Sequence, residues 1–365
     1  MDTSGGIWVG SMDGIVTRLV RENTASGASL VIDKRCRADA SSDPLTGPFS
    51  LGYGVRALAV LEDTLVVGTH SRLMVFDATD PDEPLVSVDL PFSEQRPGHL
   101  QIVEGLFPEA SSCHVAYLSY MGELVIRDLD TLAPVAHLSD PDCTDFEFGP
   151  SVVDGMSRPL YLATRDSLVE VVIDESLDYG SAGSAPVPTT VKVLAAGEYT
   201  RLIRDLVWQG NRLSVLAEDD GHGSVLQFEP LSHTPRLESV HTAVSPPMPF
   251  GNSPRPDTFF GSEIAAVPGT SDMVVMHKGH LFLATPTSPA MDELSGLFPG
   301  ATIDPLTYNS VTTSHFPAAF HAIAMQIGDV APQDGVLDVI LSTENGQVAY
   351  FPLPELRSPT GLDAI

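Results

Sequence analysis

The sequence predicts an all-β chain in which one small antiparallel sheet recurs about seven times. Three observations carry this. Seven stretches repeat one pattern: a short apolar strand, a tight polar turn, then an alternating strand. Glycine and proline number 30 each in 365 residues, as a turn-dense β protein requires. No long stretch has helical periodicity, since the best, "AMDELSGLF" (290–298), is short and sits in a long loop.

The seven hairpins are "IWVGSMDGIVTRLV" (7–20), "LVVGTHSRLMVFD" (65–77), "AYLSYMGELVIRD" (116–128), "LYLATRDSLVEVVID" (160–174), "LSVLAEDDGHGSVLQFE" (213–229), "MVVMHKGHLFLAT" (273–285) and "DVILSTENGQVAYF" (338–351). Turn dipeptides such as Asp13-Gly14 and Asn345-Gly346 accept the positive φ angles of two-residue hairpin turns. A short strand of mixed apolar and small residues precedes most hairpins: "VRALAV" (55–60), "HLQIV" (99–103), "IRDLVW" (203–208), "SEIAAV" (262–267) and "FHAIAM" (320–325). A fourth strand often follows: "SLVI" (29–32), "LVSVDL" (85–90), "PVAHL" (134–138), "TTVKVL" (189–194) and "RLESV" (236–240).

Four strands recurring every roughly 45–65 residues match the blade of a β-propeller. The expected architecture is a single seven-bladed propeller of mostly four-stranded blades spanning 1–365. Blade one is 361–365 with 6–34, blade two 51–90, blade three 97–138, blade four 143–195, blade five 202–243, blade six 259–304 and blade seven 317–353. The first hairpin starts at Ile7, which leaves blade one without an inner strand, and the terminal "GLDAI" (361–365) resembles "VRALA" and "FHAIA". The N- and C-terminal strands are therefore expected to pair in one sheet and close the ring, removing an open edge.

Two local resemblances accompany this WD40-like grammar. "GTHSRLMVFDATDPDEPLVSVDLP" (68–91) resembles the LVIVD repeat of bacterial propellers, with an apolar strand ending in Asp77, the Asp80-Pro81 step, Pro84 and a closing strand. "IGDVAPQDGVLDVILSTENGQVAYF" (327–351) resembles the FG-GAP/VCBS repeat, which pairs a calcium loop with a strand, turn and strand. Asp329, Asp334 and Asp338 stand near that family's ligand positions, although the loop has one inserted residue and Pro332-Gln333 displaces the usual middle acid. Both resemblances imply the fold. The second also implies Ca²⁺ as the one cofactor to expect, with these three carboxylates among its six to eight oxygen ligands.

Nineteen basic residues against 48 acidic ones give a formal net charge of -29, and Lys34, Lys192 and Lys278 are the only lysines. Such a chain repels nucleic-acid phosphates and anionic membrane surfaces. It suits a protein or peptide partner, a basic one above all. Cys36, Cys113 and Cys143 are odd in number and lack CxxC spacing, so buried free thiols are expected rather than a disulfide framework or a zinc site. No stretch reaches the ~18 apolar residues of a membrane helix. "MDTSGGIWVGS" has no basic-then-apolar leader, which points to the cytoplasm if Met1 is the native start, and to an extracellular or periplasmic site if the natural chain begins earlier.

No catalytic residue is assigned, because no nucleophile elbow and no phosphate-binding glycine loop precedes a helix. The inner strands carry Arg56, Arg204, Asp205, Glu263, His321 and Asp363 where small or apolar residues would suffice, so these are expected to line the central channel. The connections 243–261 and 285–317 are unusually long and hold Phe250, Phe259, Phe260, Phe298 and Tyr308, aromatic anchors for a partner. The leading expectation is a non-enzymatic protein-binding scaffold that uses one propeller face and the long loops of blades five and six. Two alternatives stay open: a propeller hydrolase or lactonase with a divalent cation in its channel, and a calcium-dependent extracellular adhesion module.

Overall fold

The computed structural model describes residues 1–11, 14–24, 27–38, 54–107, 113–139, 142–149, 158–164, 167–173, 191–196, 203–219, 222–228, 237–244, 262–277, 280–286, 288–293, 322–330, 333–343 and 348–353. Their strands form seven separate antiparallel sheets, each made of strands consecutive in sequence. The chain divides into two compact units, one of residues 1–164 and 168–193, the other of 165–167 and 194–365.

Four sheets begin in the first unit. Sheet one is β1 (Ile7–Gly10), β2 (Ile15–Thr24) and β3 (Gly27–Arg37). Sheet two is β4 (Val55–Leu61), β5 (Thr64–Thr69), β6 (Arg72–Asp77) and β7 (Val86–Asp89). A 3-10 turn at Phe92–Glu94 leads to sheet three, β8 (His99–Glu104), β9 (Cys113–Leu118), β10 (Glu123–Asp128) and β11 (Pro134–Ser139). Sheet four is β12 (Cys143–Phe148), β13 (Pro159–Thr164), β14 (Ser167–Val172) and β15 (Val191–Ala196), whose last strand runs across the division between the units.

The second unit holds the other three. Sheet five is β16 (Ile203–Gln209), β17 (Arg212–Asp219), β18 (His222–Phe228) and β19 (Leu237–Val244). Sheet six is β20 (Glu263–Ala266), β21 (Met273–His277), β22 (His280–Ala284) and the two-residue β23 (Asp292–Glu293). Sheet seven is β24 (Ala322–Gly328), β25 (Asp338–Thr343) and β26 (Val348–Pro352).

The packing explains why the central strands read as unbroken apolar runs. In a strand, successive side chains point to opposite faces. Leu65 and Val67 of β5 pack with Trp8 and Val16 of sheet one, whereas Val66 between them packs with Val115 and Tyr117 of sheet three. Ala116 of β9 turns the other way, onto Phe146 and Leu160 of sheet four. The second unit repeats the device: Val275 joins Leu216 and Val225 of sheet five, while Val274 and Met276 join Val339 and Leu341 of sheet seven. Sheets two, three and six are thus each packed between two neighbours of the same unit and buried on both faces. Each such Leu or Val stabilises the stack by about 1.5–3 kcal/mol.

Two glycines permit these approaches. A Cβ on Gly10 would lie 2.3 Å from Cγ1 of Val55, and one on Gly68 would lie 2.5 Å from Cγ of Pro97. In both cases the chain entering the next sheet crosses the end of a hairpin strand. The amino terminus is tied down by Asp2, whose carboxylate accepts hydrogen bonds from Arg18 Nε (2.6 Å), the Gly6 amide (2.8 Å) and Trp8 Nε1 (3.0 Å).

The three cysteines are free, as the sequence led one to expect, with Cys36 buried and Cys113 and Cys143 half-buried. Among the described residues no helix is long and apolar enough to cross a membrane. The 361–365 segment expected to complete sheet one lies outside the described residues.

Candidate interaction surface

Polar side chains on the first strands of the sheets form two kinds of structure. The first is a set of links from sheet to sheet. In the second unit, the Ile264 amide of β20 donates to Asp205 Oδ2 of β16 at 2.6 Å, and the Met325 amide of β24 donates to Glu263 Oε2 of β20 at 2.6 Å. In the first unit, His99 Nδ1 of β8 lies 2.5 Å from Asp145 Oδ1 of β12, and Gln101 Nε2 donates to Glu147 Oε1 at 3.2 Å. Burial, and then the neighbouring Asp145 charge working against that of His99, pushes Glu147 up to about 7.

The second feature is a recurring bulge. The register of β4, β12, β16 and β24 shifts by one residue near its start, between Val55 and Ala57, Cys143 and Asp145, Ile203 and Asp205, and Ala322 and Ala324. The extra residue is re-aimed relative to its strand. Two of the residues expected to line a channel, Arg56 and Arg204, are these extra residues. Arg204 is compensated, with Nε and a terminal nitrogen both 2.9 Å from Glu218 Oε2. Arg56 is not: its Nε is buried with no hydrogen-bond partner among the described residues. Of the six residues expected at a channel, Asp205 and Glu263 serve as links, Arg204 forms an ion pair, and His321 and Asp363 lie outside the described residues.

The loop 92–97 between sheets two and three builds the most distinctive surface. Its Glu94 is buried, accepting from the Tyr117 hydroxyl at 2.7 Å and from Arg127 at 2.5 Å, while Arg127 also donates to Tyr117 at 3.0 Å and to the Leu132 carbonyl at 2.7 Å. This closed triad anchors the loop. The Ser119 hydroxyl donates to the Ser93 carbonyl at 2.8 Å and the Tyr120 amide to the Gln95 carbonyl at 3.3 Å, so the loop lies along the β9–β10 turn.

Arg96 then leaves the loop in the left-handed region, with φ of 57°. For a residue other than glycine this costs about 1–2 kcal/mol. Its amide donates to the His70 carbonyl at 3.0 Å, and its Nε donates to His70 Nδ1 at 3.0 Å. Its guanidinium carbon stands 5.3 Å from the centre of the Tyr120 ring. Burial, followed by the charges of Arg96 and Arg56, holds the His70 imidazole below its ordinary value of 6.5. His70 is therefore neutral at pH 7, with Nδ1 accepting from Arg96 and its own N–H on Nε2. Phe92 is 78% exposed, Tyr120 74% and Met121 48%, all on this loop and turn. Nothing in the spacing of these residues announces the cluster, because it gathers Arg56, His70, Arg96 and Tyr120 from four separate segments.

In the stretch expected to be a calcium loop, the three carboxylates accept hydrogen bonds from backbone amides of the same turn. Asp329 accepts from the amides of Asp334 (3.1 Å) and Gly335 (2.8 Å), Asp334 accepts from the Val336 amide (3.0 Å), and the fully buried Asp338 accepts from the Val330 amide (3.3 Å). Among the described residues no three His, Cys, Asp or Glu side chains converge as they do around a metal ion. Asp77, which closes the apolar strand of the LVIVD-like stretch, accepts from the Thr79 amide (2.7 Å) and hydroxyl (2.6 Å), and Asp128 does the same for Thr131 in sheet three at 2.9 and 2.6 Å. That aspartate is a turn former. The expected partner-binding aromatics Phe250, Phe259, Phe260, Phe298 and Tyr308 lie outside the described residues.

No family model matches the sequence, and no curated protein matches it. Solved structures do match the fold. The Pan2 WD40 domain of Neurospora crassa is 12% identical, with 97% of this chain and 87% of that one covered at a TM-score of 0.53. The Cps50 (Swd1) β-propeller domain of Myceliophteria thermophila is 12% identical, with 96% and 94% covered at a TM-score of 0.56. BBS1N, solved in complex with ARL6DN, is 13% identical, with 97% and 93% covered at a TM-score of 0.53. At such identities the likeness concerns the fold alone: the chain has the all-β architecture of WD40 β-propellers.

Proposed function

We propose that the chain is a non-enzymatic protein-binding scaffold, built as a single seven-bladed propeller whose ring is closed by its two termini. The observation that carries the binding reading is the exposed Phe92, Tyr120 and Met121 gathered on one loop and turn that a buried triad holds in place. Aromatic and Met side chains are enriched in interaction surfaces, and rigid ones bind at a lower entropic cost. Propellers of the WD40 kind typically serve as interaction scaffolds, and BBS1N was solved with a protein partner. The loops 243–261 and 285–317, with Phe250, Phe259, Phe260, Phe298 and Tyr308, belong to the same proposal as a second contact region. The overall charge of -29 supports steering of a partner whose net charge is positive.

The closed ring has its own support. Gly10 is crossed by the incoming Val55 as Gly68 is crossed by Pro97, a likeness that supports reading β1, the edge strand of its three-stranded sheet, as the counterpart of β5. A strand from 361–365 would then stand first. Deleting 361–365 should lower the melting temperature by several degrees, and an unchanged melting curve argues against closure.

Binding is tested by capturing partners from the source lysate with the wild-type chain and with Phe92→Ala/Tyr120→Ala. The expected result is one or more proteins retained by the wild type and lost from a variant of unchanged melting temperature. Identical capture by both removes this surface from the proposal.

A further inference from the structure

We infer that the Arg56, His70 and Arg96 cluster, with Tyr120 and Phe92 beside it, docks a carboxylate-bearing, aromatic-flanked segment of the partner protein. The inference deepens the scaffold reading and rests on it.

In a chain of net charge -29, two arginines and a histidine share one niche, and among the described residues no carboxylate is paired with Arg56 or Arg96. The acids nearby are already engaged: Glu94 with Arg127 and Tyr117, Asp89 with Arg72, and Glu123 with His137. A sequence with 48 acids to choose from has directed them elsewhere.

The geometry points the same way. Arg96 spends its Nε on His70, which fixes the imidazole as the neutral form and leaves its remaining N–H, on Nε2, as a donor. Among the described residues the terminal nitrogens of Arg96 and the His70 Nε2–H have no matching acceptor, and Arg56 adds its charge against His70, while the fold tolerates a left-handed Arg96 to hold them there. The guanidinium over Tyr120 is fixed in orientation, and the exposed Phe92 and Tyr120 offer apolar contact beside it.

A carboxylate fits better than a phosphate. Both meet the repulsion of the whole chain, and a phosphate dianion meets it twice. At physiological salt that field is screened beyond about 8 Å, so it shapes approach more than contact. The local cations decide what is held, and the apolar contact supplies what a lone carboxylate lacks.

The probes are four fluorescein-labelled 12-residue peptides, each with two Phe and otherwise Gly and Ser, carrying at three positions Glu, Gln, Lys or phosphoserine. Fluorescence anisotropy with the full chain should give the Glu peptide at least about tenfold tighter binding than the Gln and Lys peptides. The phosphoserine peptide should bind no better than the Glu peptide. Arg96→Gly, which suits the left-handed backbone, and Arg56→Gln should each weaken the Glu peptide about tenfold while the melting temperature holds. Equal binding of Glu and Gln, a preference for phosphoserine, or no effect of Arg96→Gly overturns the inference. A Lys preference insensitive to both arginine variants overturns it and leaves the scaffold reading standing. If no peptide binds, the inference falls, and the fate of the scaffold reading is decided by the capture experiment with Phe92→Ala/Tyr120→Ala.

Discussion

Glu94 and Arg96 stand two residues apart in one loop, one a charge the fold has neutralised and the other a charge it has left unanswered. Glu94 is buried and closes a triad with Arg127 and Tyr117. Arg96 is held against a histidine that a second arginine also faces, in a backbone conformation that costs energy. A fold selected for stability alone has no use for the second arrangement. The difference separates what anchors the loop from what the anchored loop presents.

The largest expected effect tests the anchor. Glu94→Gln leaves the Arg127 guanidinium buried beside a neutral amide, and breaking one side of a buried pair typically costs about 3 kcal/mol or more. Urea unfolding should show that loss as a lower midpoint with an unchanged slope. A loss under about 0.5 kcal/mol means that the triad does not hold the loop, and the contrast with Arg96 disappears.

Glu147 is an intermediate case, a carboxylate hydrogen-bonded to Gln101 yet poorly compensated. Its folded value, about 7, lies above its ordinary 4.5, so the folded chain holds the proton more tightly than the unfolded one. Its contribution is therefore fully favourable below pH 4.5, declines as pH rises from 4.5 to 7, and is lost above that. Glu147→Gln should remove this slope and stabilise the chain at pH 8 by about 2 kcal/mol, solvent screening at a half-buried site being allowed for. Equal pH dependence in variant and wild type would mean that Glu147 is compensated after all.

How much of this is visible in the sequence follows from how each feature is encoded. Burial on both faces writes unbroken runs such as Leu65-Val66-Val67, and the hairpin turns punctuate them, so the repeated sheets could be read residue by residue. First strands were legible where small residues mark them, as in 55–60 and 262–267. β12 was not, because Asp145 and Glu147 give it the alternation of a half-solvated strand when in fact they bond to sheet three. Charge counting drew attention to basic partners, since a total of -29 says nothing of where the few cations gather. The surface around Arg96 depends on contacts among four distant segments, and a carboxylate such as Glu94 that turns inward looks in sequence like one that turns out.

The smallest effects sharpen the comparison most. Arg96→Gly loses a cation–π contact worth about 0.5–1 kcal/mol and the hydrogen bond to His70 Nδ1, worth about as much, and raises the entropy of the unfolded chain, but it relieves a left-handed residue costing about 1–2 kcal/mol and a like-charge contact. These terms nearly cancel, so its stability should lie within about 0.5 kcal/mol of the wild type. Arg96→Ala makes the same deletions while keeping a Cβ at φ 57°, and should be about 1 kcal/mol less stable than Arg96→Gly. Both substitutions remove the larger of the two charges acting on His70, so the imidazole should titrate closer to 6.5 in each, as followed by NMR. Because the folded value lies below the unfolded one, wild-type stability falls as pH drops through the histidine range, and both variants should lose part of that fall. If Gly and Ala behave alike, the left-handed geometry at Arg96 imposes no strain, and the case that the loop bears a cost to present a cation fails with it.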